Sequence, residues 1–166
     1  MSGDIIFKPI GYIHSEHADP EKTPIQPAFA KGCKGQAEIF PEYEKGLSDI
    51  EGFSHIYILY HFHKAGSGNL MVKPFLDDTK RGVFATRTSN RPNPIGFSLV
   101  QLLKRTKNIL YLEDVDILDG TPILDIKPFV KRFDYRNNTH DGWQEKIDDT
   151  LASILGKRGY KRKTIF

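Results

Sequence analysis

The sequence predicts a mainly β protein that ends in one helix. Short runs rich in β-branched and aromatic residues, some of them alternating with polar ones, recur up to about residue 130 and are separated by turn-forming residues. These strands do not alternate with helices, and neither a strand–Gly-x-Gly-x-x-Gly–helix unit nor a Walker loop is present. A doubly wound sheet with a nucleotide fingerprint is therefore not expected.

Each strand is assigned from its local pattern, and HIYILYHF (55–62) is the strongest case because it is β-branched and aromatic throughout. The segment 4–14 is interrupted by Pro9 and Gly11, so it is expected to be an edge or bulged strand. The Asp119-Gly120 pair between the last two strands predicts a two-residue hairpin. The remaining strands are predicted at 35–40, 82–87, 95–104, 109–117 and 122–129, with a short helix at 41–53.

One convincing helical pattern follows residue 140. Asp141 is a candidate cap, Gln144 lies three residues further on, and apolar residues then repeat at three-to-four spacing. The stripe comprises Trp143, Ile147, Leu151 and Ile154, and the simplest interpretation is a helix that packs on the sheet. We divide the chain into a β domain, residues 1–133, and a C-terminal helix with a basic tail, residues 134–166.

Composition limits the class of protein. A chain of 166 residues suits one domain, and its one cysteine, Cys33, excludes an internal disulfide and a cysteine-based zinc site. No apolar run approaches the roughly 20 residues that span a membrane, and the N-terminus does not resemble a signal peptide. We expect a soluble, cytoplasmic protein without a membrane partner.

Positive charge is concentrated at the C-terminal side. Residues 127–166 contain ten Lys or Arg and five Asp or Glu, a net of +5, whereas residues 1–126 have a net charge of −2. The tail GKRGYKRKTIF is either a solvated surface or a nucleic-acid contact, in which Tyr160 would stack on a base. The second interpretation assigns Lys161, Arg162 and Lys163 to RNA.

The segment NRPNPI (90–95) is the least strand-like part of the β region. Pro92 and Pro94 lack amide hydrogens and push Arg91 and Asn93 towards extended geometry, so some carbonyls are expected to be unpaired and to form a rim for a ligand. Arg87 and Arg91 flank this segment, and a guanidinium fork suits a carboxylate or phosphate. Either arginine could instead tie the loop down through a salt bridge.

Other polar residues leave alternatives open. His61 and His63 could form a metal pair, but no third ligand has suitable spacing, so no metal is predicted. Each histidine could also bond a neighbouring loop or contact a ligand. Asp116 and Asp119 are either turn and surface residues or ligand contacts, and Gly66-Ser67-Gly68 is most simply a flexible loop.

Five blocks of the sequence together resemble one family. FKPIGYIHS, PIQPAF, KGL…IEGFSHIYILYHFHK, GVFATRTSNRPNPIGFSLVQLL and LDGTPILDIKP are similar, in this order, to the blocks of the TrmO family of S-adenosylmethionine-dependent transfer-RNA methyltransferases. The resemblance covers residues 5 to about 130. It implies a β-barrel-like domain of mostly antiparallel strands, a homodimer, and N6-methylation of threonylcarbamoyladenosine at position 37 of the anticodon loop.

The resemblance also implies a set of site residues. Cofactor contacts are expected from Ile25, Gln26, Pro27, His63, Lys64, Arg87, Phe97, Ser98, Asp116, Leu118, Asp119, Gly120 and Thr121. Ile25 is expected to give only backbone or packing contacts, because some bacterial relatives have arginine there. Bacterial members carry a second domain after the barrel, and this chain is similar to the short, archaeal-type form. The RNA contacts that the second domain makes would come here from the tail or the dimer, or would have no counterpart.

The chemistry of these residues agrees with the implied reaction. The methyl donor is already activated, so the protein chiefly aligns the methyl group and the nucleophile, which can contribute roughly 7–11 kcal/mol. His63 is a candidate acceptor of the N6 proton. Arg87 is the other catalytic candidate, and it or Arg91 could hold the threonyl carboxylate. Two alternatives are methylation of a small-molecule acceptor and a non-catalytic cofactor- or RNA-binding module.

Overall fold

Six strands close into an antiparallel barrel in the computed structural model, which describes residues 3–159. Around the barrel the order is β1, β2, β7, β6, β3 and β8. The predicted mainly β, barrel-like fold of antiparallel strands is confirmed. The barrel strands are β1 (Gly11–Ser15), β2 (Lys34–Ile39), β3 (His55–His61), β6 (Ile95–Thr106), β7 (Ile109–Glu113) and β8 (Pro122–Pro128), and a separate pair joins β4 (Met71–Val72) to β5 (Arg81–Gly82).

The barrel interior is filled by alternate residues of its strands. In β3 and in residues 95–102 of β6 every second residue is buried, as expected for strands that have one face on a core. The two strands pair over seven residues, from His55 opposite Gln101 to His61 opposite Ile95. The buried core cluster consists of Ile13, Ala37, Ile39, Leu47, Ile56, Ile58, Tyr60, Val100, Leu102, Leu110, Leu112, Val115, Ile117 and Ile123.

Two long connections leave the barrel at the end where the site is found. Residues 62–94 join β3 to β6 and contain the small β4–β5 pair, and residues 114–121 join β7 to β8. The Asp119-Gly120 hairpin prediction is wrong, because β7 pairs with β2 and β6 whereas β8 pairs with β1 and β3. We call residues 114–121 the crossover.

Several strand predictions are corrected at their ends. The first strand begins at Gly11 and not at residue 4, consistent with Pro9, which has no amide hydrogen for a ladder. β7 ends at Glu113, because Asp114 has a φ of 61°. Residues 82–87 form the end of β5 and a 3-10 helix, Val83–Ala85, and residues 41–53 form two 3-10 helices, Pro41–Leu47 and Ile50–Gly52.

The predicted C-terminal helix is shorter than expected and packs through other residues. A 3-10 helix, Gly142–Lys146, is separated from α2 (Asp149–Gly156) by an extended Ile147. The Asp148 side chain, not that of Asp141, caps α2 by accepting a 2.8 Å hydrogen bond from the Leu151 amide. The apolar stripe is wrong for α2, because Leu151 and Ile154 are exposed whereas Ala152 and Gly156 are buried.

Residues near the end of α2 hold two loops instead of packing on the sheet. The Gly156 carbonyl accepts a 3.0 Å hydrogen bond from the Ile25 amide, and a Cβ at Gly156 would overlap the ring of Phe29. Arg158 lies 4.7 Å from the ring centroid of Phe75 and donates to the Pro20 carbonyl. Further back, Trp143 Nε1 donates to the Ala85 carbonyl at 2.8 Å.

The remaining helix, α1 (Lys131–Asp134), follows β8 directly. The division of the chain near residue 133 stays a prediction. Neither α-helix in residues 3–159 combines the length and the apolar character required to cross a bilayer. Within the same residues no three His, Cys, Asp or Glu side chains group as a metal site.

Candidate functional site

The interior face of β3 and β6 changes from apolar to polar along its length. Ile56 lies opposite Val100 in the ladder, then Ile58 opposite Ser98, and finally Tyr60 opposite Gly96. Gly96 is required at this position, because a Cβ there would overlap the ring carbons of Tyr60. The rigid strand pair therefore carries two hydroxyl groups to the end of the barrel from which the long connections leave.

The crossover adds a buried carboxyl group to these hydroxyls. Ser98 Oγ donates a 2.6 Å hydrogen bond to Asp116 Oδ1. Tyr60 Oη lies 3.2 Å from the same Ser98 oxygen. Because the Ser98 hydrogen is directed to Asp116, the Tyr60 hydroxyl is the donor in the second bond. Tyr60, Ser98 and Asp116 thus form one chain of hydrogen bonds.

Asp116 has an unusual protonation equilibrium in this position. Its burial, with only 9% of the residue exposed, raises the pKa of the carboxyl group to about 7. The hydrogen bonds from Ser98 and from its own backbone, together with the nearby Arg87 guanidinium, oppose that rise only in part. The same burial raises the pKa of the Tyr60 phenol, so Tyr60 remains a neutral donor.

Arg87 links the PIQP segment to β6. Its Nη1 donates to Gln26 Oε1 at 2.7 Å, and its guanidinium lies 5.1 Å from the ring centroid of Phe97. Arg87 and Phe97 are both exposed. Gln26, Arg87 and Phe97 therefore form an open wall that pairs a cation with an aromatic face.

His63 is held at the other side of the site by the crossover. Its Nδ1 lies 3.3 Å from Thr121 Oγ1, and that hydroxyl donates to the Leu118 carbonyl at 2.6 Å. A hydroxyl has one hydrogen, so Thr121 accepts from Nδ1–H, and the lone pair of the imidazole lies on Nε2. Partial burial, then Lys64 and His61, lower the pKa of His63, whereas Asp119 raises it. The ring is therefore neutral at pH 7.

The Asp119-Gly120 corner is anchored to β1. Asp119 Oδ1 accepts from the Ser15 amide at 2.9 Å, and the Gly120 amide donates to the Ile13 carbonyl at 2.8 Å. Gly120 has a φ of 74°, which favours glycine. The corner is thus a turn held by the barrel, and it lies near enough to His63 to influence its charge.

The double-proline segment is better satisfied than its sequence suggests. The carbonyls of Asn90, Asn93 and Pro94 accept hydrogen bonds from the amides of Asn69, Ile95 and Phe62 respectively. For these three carbonyls the expectation of an unpaired rim is wrong, because the 62–69 turn and the local bend supply donors. Arg91 Nη1 donates to the carbonyls of Thr86 and Thr88, so it ties the loop through backbone oxygens.

The remaining site predictions have mixed positions. Ile25 is half-buried and bonds α2 through its amide, Pro27 begins a 3-10 helix, Pro27–Phe29, and Lys64 is exposed beside His63. Lys161, Arg162 and Lys163 lie outside the described residues. The sequence analysis missed Tyr60, because a tyrosine in an alternating strand has the same pattern as a residue that only packs in the core.

The part of the chain that matches a known family contains the site residues described above. Residues 12–135 match the model of the tRNA-methyltransferase O N-terminal domain. This range contains the Tyr60–Ser98–Asp116 chain, the Gln26–Arg87–Phe97 wall and His63.

Relatives of known name show the same similarity. A probable S-adenosyl-L-methionine-binding protein of Pyrococcus abyssi is 55% identical, with 86% of this chain and 77% of the relative covered. The tRNA (adenine(37)-N6)-methyltransferase of Mus musculus is 41% identical over 94% of this chain and 41% of its own length. The crystal structure of TrmO from Pseudomonas aeruginosa is 36% identical with a TM-score of 0.70, over 86% of this chain and 63% of that one. The chain thus spans less than two thirds of the mouse protein and of the solved structure.

Proposed function

The chain belongs to the tRNA-methyltransferase O family, and on that premise we propose that it is an S-adenosylmethionine-dependent tRNA (adenine-N6)-methyltransferase. The observation that carries the proposal is the location of the site. The family match spans residues 12–135, and within that range buried hydroxyls, a cation–aromatic wall and a neutral histidine lie at one end of a rigid barrel. The name of the Pyrococcus relative supports the cofactor, and that of the mouse relative supports the acceptor.

The side chains of the open wall fit the methyl donor. S-adenosylmethionine supplies a methyl group on a sulfonium, together with a carboxylate, an ammonium, ribose hydroxyls and an adenine. Arg87 offers a fixed fork of donors to the carboxylate, and the Gln26 contact holds that fork in place. The exposed Phe97 ring offers an apolar face to the adenine or to the sulfonium.

His63 is the proposed acceptor of the proton that the acceptor nitrogen loses. An N6 that is bonded to a carbonyl carbon has a delocalised lone pair and a comparatively acidic N–H. The neutral His63 ring carries its lone pair on Nε2, because Thr121 holds Nδ1–H. Its lowered pKa keeps that base unprotonated at pH 7. The Asp116 carboxyl group holds the Ser98 hydroxyl in a fixed orientation.

The finer features follow from the resemblance described above. The proposed substrate is an anticodon loop whose adenosine 37 already carries a threonylcarbamoyl group. A carboxylate on that group would suit Arg87 or Arg91. A homodimer and a cytoplasmic location stay predictions.

The direct test is methyl transfer with a labelled donor. We expect the protein to methylate tRNA that carries the threonylcarbamoyl group and to leave the unmodified tRNA unchanged, as read by mass spectrometry of the nucleosides. Equal transfer to both RNAs would contradict the substrate group. Tight cofactor binding without transfer to any RNA would favour the non-catalytic alternative, for which the name of the Pyrococcus relative is the motivation.

An Arg87 series separates binding from folding. Arg87→Ala removes a charge-assisted contact, worth about 1.5–3 kcal/mol, so cofactor affinity is expected to fall about 10- to 100-fold. Arg87→Lys keeps the charge but loses the fork and should be intermediate. Because Arg87 is exposed, the thermal midpoint should stay within about 2 °C of the wild type. Unchanged affinity in Arg87→Ala, measured by calorimetry, would remove Arg87 from the cofactor site.

A further inference from the structure

Aromatic side chains cover the outer face of the barrel beside Arg87. The ring centroids of Tyr57 and Phe97 are 6.1 Å apart, and those of Tyr57 and Phe129 are 6.0 Å apart. Phe97 lies on β6, Tyr57 lies on β3, and Phe129 directly follows β8. These three strands are neighbours in the sheet. The row is continuous with the site, because Phe97 also contacts Arg87.

The segment after Phe129 extends this row with exposed aromatic and basic residues. Phe133 is 64% exposed and Tyr135 is 59% exposed. Lys131, Arg132 and Arg136 are exposed beside them, so residues 131–136 carry a net charge of +2 with Asp134 included. We call Tyr57, Phe97, Phe129 and residues 131–136 the aromatic–basic surface.

Local contacts order the backbone of residues 130–136. The Val130 amide donates to Asp134 Oδ2 at 2.7 Å, which closes the short α1 helix. Arg136 Nη1 donates to the carbonyls of Phe133 and Tyr135 and so tightens the turn that follows. The Asp134 carboxylate lies near enough to Tyr57 to add to the effect of burial in raising the pKa of that phenol.

We propose that the aromatic–basic surface receives the unpaired bases and the phosphates of the RNA loop, with Phe133 and Tyr135 as stacking platforms and Lys131 and Arg132 as phosphate contacts. The inference rests on the proposed function and names where its substrate docks. Exposed aromatic rings interleaved with cations are what a single-stranded nucleic acid requires, since every base has a face to stack and every link a charge. Duplex RNA would use the charges but not the rings.

The test compares two variants with matched controls, and its probes are a hairpin RNA with an open loop and a fully paired duplex. Phe133→Ala/Tyr135→Ala should weaken hairpin binding by about 20-fold or more and leave duplex binding within about twofold. Lys131→Gln/Arg132→Gln should lower the slope of log affinity against log salt by about 1.4, at about 0.7 for each phosphate contact. Tyr43→Ala and Lys34→Gln/Lys104→Gln, exposed residues outside this surface, should match the wild type.

The outcomes separate this inference from the function on which it rests. Cofactor binding should be unchanged in all four variants, and saturating tRNA should restore the wild-type turnover, because the loss is in binding. If the wild type methylates tRNA but Phe133→Ala/Tyr135→Ala binds the hairpin like Tyr43→Ala, the inference fails alone. If that variant instead turns a dimer into a monomer in sedimentation, a second copy of the chain covers the surface and the inference is overturned. A wild type that binds neither RNA overturns both.

Discussion

Around Ile56 and Val100 the barrel interior is apolar on every side, whereas around Tyr60 and Gly96, four residues along the same two strands, it contains a hydrogen-bonded carboxyl group. Both ends are part of one ladder and are equally buried. The apolar end contributes by removing surface from water, and the polar end must satisfy each buried group with a partner. The difference shows how paired strands of a barrel can position polar groups directly.

The comparison gives each end a separate experimental signature. A change at the apolar end should alter stability equally at all pH values. A change at the polar end should alter how stability depends on pH.

Asp116→Asn should remove the largest pH-dependent contribution. The folded pKa of about 7 lies above the ordinary value of 3.8, so this carboxyl group stabilises the fold fully below about pH 4 and loses that contribution as pH rises through 7. The stability of the variant relative to the wild type should therefore increase by about 4 kcal/mol between pH 4 and pH 8. Denaturant unfolding across this range measures it, and a constant difference would mean that Asp116 is charged throughout.

Ile56→Ala should destabilise the apolar end by about 2–5 kcal/mol, through lost burial and the cavity that remains. Ile56 is fully buried, and its pH profile should run parallel to that of the wild type. Ile5→Ala is the control, since Ile5 is 81% exposed, and it should change the free energy of unfolding by less than about 0.5 kcal/mol. If the free energy of unfolding of Ile56→Ala depended on pH in the same way as that of Asp116→Asn, the two ends would not make separate contributions.

Ser98→Ala should give the smallest change in stability, about 1–3 kcal/mol above pH 7, because it removes the side-chain donor of a buried carboxylate. The Ser98 bond lowers the pKa of Asp116, so that pKa should rise further in the variant. Carbon-13 NMR titration of the Asp116 carboxyl group measures the shift. Ser153→Ala on the exposed face of α2 is the control. A fall in the Asp116 pKa would show that another donor takes the place of Ser98.

The sequence was most informative where local pattern and final environment agree. The strand 55–62 is β3 almost to the residue, and 95–104 lies wholly within β6, because β3 and residues 95–102 of β6 alternate between a buried and a more exposed face. The Asp119-Gly120 hairpin failed because barrel closure, a non-local property, sends β8 to β1 and β3. No local signal specifies which edges meet.

The C-terminal helix and Tyr60 illustrate two other kinds of miss. Asp148 followed by a second acidic residue is itself a helix-start signal, and it competes with Asp141, so the information was present but assigned to the wrong cap. Tyr60 could not be distinguished by pattern, because its role depends on Ser98, 38 residues away, and on Asp116 beyond it. The resemblance to the family indicated Gln26, Arg87 and Phe97 as site residues. Their contacts with one another could be identified only from the structure.

The contacts of α2 have a practical consequence for engineering. Its Gly156 carbonyl holds Ile25, the neighbour of Gln26, and Arg158 connects the loops that contain Pro20 and Phe75. Through these contacts, α2 helps to fix the position of Gln26 from outside the barrel. Substitutions on the solvent side of α2 therefore offer a way to change the affinity for the proposed methyl donor. The residues proposed to contact that molecule would stay unchanged.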